Sequence, residues 1–154
     1  MQRRLFILSG VALFLAGCGG RRHHGTAARE PDLNPNETPQ LRQLINHYAD
    51  QYQVPRSLVH RVIQRESMYR PGARNGPYFG LMQILPQTAR TMGYRGPDSG
   101  LLDARTNLTY AVKYLRGAWL VSDGDETKAV QWYARGYYYE AKRRGMLRET
   151  GLRS

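Results

Sequence analysis

Apolar side chains recur along this chain at helical intervals, and those intervals set where its elements begin and end. Leu41, Leu44, Ile45, Tyr48 and Tyr52 share one face of a 3.6-residue period, which predicts a first amphipathic helix up to about Tyr52. Thr38 is its candidate N-cap, with Pro39 at the first helical position. Pro55 opens a second helix whose stripe is Leu58, Val59, Val62 and Ile63. Glu66 falls on the same stripe, four residues beyond Val62 and three beyond Ile63, so a face destined for burial ends on a carboxyl group. Pro71 cannot continue this helix and pushes Arg70 towards extended geometry. Residues 75 to 84 then gather turn residues, aromatics and one amide, with a very small β-hairpin around Tyr78 to Ile84 as the single strand signal. Pro86 starts a short helix that should stop at Gly93, and Tyr94 to Leu102 reads as a loop. Asp103 caps a long helix from about Ala104 to Val121, with Leu108, Ala111, Val112, Leu115 and Trp119 inward. After the Ser122-Asp123-Gly124 turn, Asp125 caps a helix from Glu126 to about Arg135, ended by Gly136. A last helix spans Tyr137 to Arg144. The expected fold is mainly α, without internal repeats.

The chain has 154 residues and 41% apolar content, enough for one compact domain and not two. Its first residues have a different character. Arg3 and Arg4 precede an apolar run from Leu5 to Leu15, too short to span a membrane as a mature helix, and Leu15-Ala16-Gly17 leads to the sole cysteine, Cys18. Leu15-Ala16-Gly17-Cys18 resembles the bacterial lipoprotein cleavage box, which implies a signal peptide over residues 1–17 and a lipid on the Cys18 thiol. An ordinary secretory signal with an incidental cysteine is the competing reading. One thiol excludes an intrachain disulfide. Gly19 follows where many enteric-type inner-membrane lipoproteins carry aspartate, so the expected address is the periplasmic face of the outer membrane. Residues 18–37 are polar, basic and rich in glycine and proline, and read as a lipidated tether. The folded domain is expected over 38–154. His23-His24, with no further ligand nearby, reads as a solvated pair and not a metal site.

The formal charge is +11; without Arg3 and Arg4 it is 11 − 2 = +9. That excess favours nucleic acid, an acidic membrane surface or a carboxylate-bearing polymer, without choosing among them. Arg135, Lys142, Arg143 and Arg144 form a basic end, but no recognition motif accompanies them, so nucleic acid is not expected as a partner.

The chemistry centres on Glu66. Burial favours the protonated form of a carboxyl group, and a neutral acid at physiological pH is what general-acid catalysis needs. A rim position with the carboxylate in water is the bland alternative. Arg65-Glu66-Ser67, followed by Tyr78-Phe79-Gly80-Leu81-Met82-Gln83-Ile84-Leu85-Pro86, closely resembles the catalytic signature of the soluble lytic transglycosylase (goose-type-lysozyme-like) family. The resemblance covers roughly Leu41 to Arg144 and implies a single lysozyme-like helical domain. A second landmark is less complete. Family members usually carry Ala-Tyr-Asn-Ala-Gly where this chain reads Trp132-Tyr133-Ala134-Arg135-Gly136, so Tyr133 and Gly136 match and Ala134 replaces the Asn.

The resemblance implies that Glu66 protonates the glycosidic oxygen between N-acetylmuramic acid and N-acetylglucosamine in peptidoglycan, then accepts the proton of the muramyl C6 hydroxyl as a 1,6-anhydro ring closes. It implies no cofactor. Ser67 is expected to orient the Glu66 carboxyl or else to satisfy helix-end backbone. Gln83 is expected to present its amide to the sugar, Met82 to supply an apolar wall or to join the core, and Gly80 to allow close backbone approach or simply to turn the chain. Tyr133 is expected to hold Glu66 or a substrate oxygen, unless it is a core tyrosine. Tyr137, Tyr138 and Tyr139 offer stacking platforms, though three consecutive helical positions cannot face one groove. Two other activities stay open: a lysozyme-like hydrolase, and a lipoprotein that grips glycan without cleaving it.

Overall fold

The structure, a computed structural model, describes residues 32–153; the leader, Cys18 and most of the tether lie outside the described residues. The helix signals map onto six helices. α1 (Pro39–Gln51) begins where Thr38, in extended geometry, accepts a hydrogen bond from the Leu41 N–H at 3.1 Å. α2 (Arg56–Glu66) follows Pro55 and ends on Glu66. β1 (Arg74–Asn75) and β2 (Tyr78–Phe79) form a hairpin, and α3 (Pro86–Thr91) stops just before Gly93. A 3-10 helix, Asp98–Leu102, occupies part of the expected loop and leads to α4 (Ala104–Val121), whose N-cap Asp103 accepts from the Thr106 N–H at 2.8 Å. α5 (Glu126–Arg135) is capped by Asp125, and α6 (Tyr138–Arg143) is one residue shorter at each end than the pattern predicts. Tyr137 leaves that helix because its ring is buried and its hydroxyl donates to the Tyr114 carbonyl at 2.8 Å.

α4 is the axis of the domain. It packs against α1, α3, α5 and the 3-10 helix, while α2 lies against α1 and α5. Ile45, Leu58, Val59, Ile63, Leu81, Leu101, Leu108 and Leu115 are fully buried between them, and Met146, Leu147 and Leu152 of the final turns pack on the same core. Trp119, expected inward, is only partly buried.

The hairpin starts earlier than the pattern predicts. Asn75 pairs with Tyr78, leaving Gly76-Pro77 as a two-residue loop. Gly76 has φ +55°, the positive value that a tight hairpin turn demands of its first central residue. An isolated bridge from Phe79 to Ile84 closes the following turn.

The expected tether boundary also moves. Most of residues 32–37 are exposed, but Glu37 is buried and has a partner inside the domain. Its side chain is inaccessible and takes Nε and Nη2 of Arg42 on its two oxygens, at 2.9 and 2.7 Å. Burial alone would raise the Glu37 pKa; the hydrogen bonds from Arg42 and Asn34 overcome it and hold the carboxyl at about 2.

Candidate active site

Glu66 is the last residue of α2, the helix that buries Leu58, Val59, Val62 and Ile63. The side chain is a quarter exposed. Burial raises its pKa above the ordinary carboxylate value, against a lowering by the Arg65 guanidinium, whose Nε lies 3.7 Å away. The helix end works in the same direction as burial, since it carries partial negative charge.

The chain leaves Glu66 through two consecutive left-handed residues, Met68 at φ +49° and Tyr69 at φ +60°. Such geometry costs roughly 1–2 kcal/mol per L-residue and persists only where the surroundings fix it. Here they do. Tyr69 is buried, and its hydroxyl takes a hydrogen bond from Asn34 Nδ2 and meets His60 Nδ1, both at 3.0 Å. The Met68 carbonyl accepts from Asn36 Nδ2 at 3.0 Å.

The loop from Phe79 to Gln83 hangs on Asn107, a fully buried amide on α4. Its Nδ2 donates to the carbonyls of Phe79 and Leu101 at 2.8 and 2.9 Å, and its Oδ1 accepts from the Met82 N–H at 3.0 Å. Gly80 makes this possible. A Cβ there would lie 2.3 Å from Asn107 Nδ2 and 2.4 Å from the Leu101 carbonyl oxygen, so the close approach that Gly80 permits is to α4 and not to a sugar. Met82 likewise contributes backbone. Its side chain is fully buried in the core, which leaves no methionine wall for the groove, and its carbonyl accepts the Tyr133 hydroxyl at 2.8 Å.

Gln83 sits at φ +48°, and its Nε2 donates to the carbonyls of Ala73 and Gly80 at 3.1 and 2.8 Å. Two carbonyl partners fix which end of the amide is nitrogen. Its Oε1 is buried and has no partner among the described residues. Ser67 is buried too, and its hydroxyl donates to the Ile63 carbonyl at 3.3 Å, the helix-end alternative.

Gln83 and Tyr133 line a pocket of about 290 Å³ together with Tyr78, Tyr114, Ala134 and Arg135. No acidic residue lines it. Glu66 is not in that lining but is electrostatically close to it. Burial first, and the Glu66 carboxylate next, push the Tyr133 hydroxyl well above the ordinary tyrosine range. Gln83 and Tyr133 therefore share one concavity, with Glu66 electrostatically coupled to Tyr133, whereas Met82 and Gly80 are buried behind the loop that forms it. Tyr137 is a packing residue; Tyr138 and Tyr139 are exposed and stack edge-to-face on each other at 5.4 Å.

Two residues of this site were not anticipated. Asn107 lies four positions before Ala111 on the inward face of α4, and a polar residue there signals a buried hydrogen-bonding job. Tyr114, three positions after Ala111, reaches the pocket with its ring 5.5 Å from that of Tyr133, and burial raises its pKa to about 12.

No solved structure matches the chain. A family model described as the transglycosylase SLT domain matches residues 43–146, more than half of the chain, from within α1 to just past α6. The chain belongs to the transglycosylase SLT domain family.

Proposed function

We propose that this protein is a peptidoglycan lytic transglycosylase that cleaves the β-1,4 bond between N-acetylmuramic acid and N-acetylglucosamine, leaving 1,6-anhydro-muramyl ends. The observation that carries this reading is a desolvated carboxyl group, Glu66, electrostatically coupled to Tyr133, which with Gln83 lines a pocket in a chain of the SLT domain family. A hydrolase working with two carboxylates needs a partner roughly 5 to 9.5 Å from the acid. The transglycosylase reading is favoured over such a hydrolase by membership of the SLT domain family.

In the proposed reaction, Glu66 gives its proton to the bridging oxygen as the bond from that oxygen to the muramyl C1 breaks. The acetamido oxygen of the same sugar closes on C1 and holds the positive charge. Glu66, now a carboxylate, takes the proton of the C6 hydroxyl, and that oxygen displaces the acetamido group from C1. The acid is regenerated and no water is consumed. A raised pKa suits both halves, since it keeps the acid protonated at the start and makes the carboxylate a better base.

Digestion of purified sacculi followed by mass analysis tests this. Wild-type protein should release anhydro-muramyl ends, and Glu66→Gln should reduce them by at least about 100-fold, the usual scale of a lost general acid. Reducing ends would establish hydrolysis instead, and intact glycan that still retains the protein would establish a binder.

The leader extends the proposal to location. Cleavage before Cys18, lipidation of its thiol and a basic tether would hold the domain on the periplasmic face of the outer membrane. Labelled palmitate should be incorporated by the wild type and lost in Cys18→Ser; equal labelling of both would remove the anchor from the proposal.

A further inference from the structure

Arg135 ends α5 and lines the pocket shared by Gln83 and Tyr133. Its guanidinium lies over the Trp132 ring, 3.9 Å from the ring centre. Stacking of this kind orients the fork and leaves its in-plane N–H groups open to a planar anion. No ion pair or hydrogen bond engages Arg135 among the described residues, although every arginine around Glu140 and Glu37 is paired. The pocket wall carries no acidic side chain to neutralise it. In the family pattern quoted above, alanines stand at the positions of both Trp132 and Arg135, so this chain departs from that pattern at the stacked pair. Gln83 lines the same pocket, and its Oε1, buried and without a partner among the described residues, is an acceptor that a small shift of the side chain would present to an amide N–H. An acceptor and an uncompensated cation together suit an N-acylated sugar that bears a carboxylate.

We infer that Arg135, held on Trp132, reads a carboxylate on the lactyl arm of the muramyl sugar and makes the site selective for charged glycan. This rests on the pocket being the glycan groove of the proposed function. The carboxylate has two possible sources with the same chemistry: the free lactyl acid of peptide-free strands, and the acidic groups of an attached stem peptide. Arginine pairs with either in a bidentate manner.

The test uses three glycans: peptide-free strands, the same strands with their lactyl carboxylates methyl-esterified, and peptide-bearing strands. Binding is measured on Glu66→Gln protein, which needs no turnover, and cleavage on protein with Glu66 intact. Wild type should favour a carboxylate-bearing strand over the ester by about fivefold in Kd and KM, with kcat moving less; this is the scale of one exposed bidentate pair. Arg135→Gln should erase that preference, Trp132→Leu should weaken it while leaving the charge in place, and rising salt should shrink it. Preference confined to peptide-free strands assigns the lactyl acid, and preference confined to peptide-bearing strands assigns the stem. Equal affinity of wild type for charged and esterified strands overturns the inference, as does a preference that survives Arg135→Gln. Protein that neither binds nor cleaves any strand overturns the groove reading itself. Circular dichroism and thermal unfolding of each variant establish that the comparison is between folded proteins.

Discussion

Glu66 is a residue whose position works against the fold that holds it. Its carboxyl has a higher pKa folded than unfolded, so between the two values the native state binds the extra proton and stability falls as pH rises. Glu66→Gln should therefore raise the Tm at pH 7, and the gain should vanish below about pH 4.5, where the acid is neutral in both states. A variant no more stable than wild type at pH 7 would mean that the carboxylate is not desolvated. The helical period alone put this residue on a buried stripe, which is why it was legible in the sequence. Gln83 was legible as a polar group near the groove, but its geometry was not. Its positive φ and the two carbonyls that take its Nε2 come from the folding of the loop around it, and no local pattern encodes them.

Elements were read well wherever a short-range device defines them. Thr38, Asp103 and Asp125 cap helices by hydrogen bonds to N–H groups three residues away, so the sequence itself carries the boundary. The loop from Phe79 to Gln83 has no such local determinant. It is held by Asn107, 25 residues from Met82, and by Tyr133, 51 residues away. Asn107→Ala strips buried partners from Phe79, Leu101 and Met82 and should cost about 2–4 kcal/mol in urea unfolding. Gly80→Ala presses a methyl group into the same amide at a positive φ and should cost a comparable amount. The two losses should be less than additive in the double variant, because both act on one contact. Full additivity would place Gly80 outside the Asn107 network. The left-handed turn at Met68 and Tyr69 escaped the sequence for the same reason: its determinants, Asn34, Asn36 and His60, are remote.

Across the described residues, helices converge on α4, and the final turns pack on the same core. The stretch before α1 belongs to this assembly through Glu37. A carboxyl held at about 2 in the fold and near 4.5 when free contributes stability that is complete above pH 4.5 and lost as pH falls towards 2. Glu37→Gln should flatten that acid limb of the unfolding curve and, by leaving Arg42 with a neutral neighbour, cost roughly 3 kcal/mol at pH 7. An unchanged acid limb would show that Glu37 does not govern it.

The ties from Asn34 and Asn36 to Tyr69 and Met68 decide where this domain can be cut. A clone begun at Thr38, the natural scissor point by helix signals, would keep all six helices and discard the two side chains, Asn34 and Asn36, that brace the bend after Glu66. Beginning at Asp32 retains them. Of two otherwise identical fragments, the shorter should melt earlier and expose the Met68-Tyr69 bend to proteases.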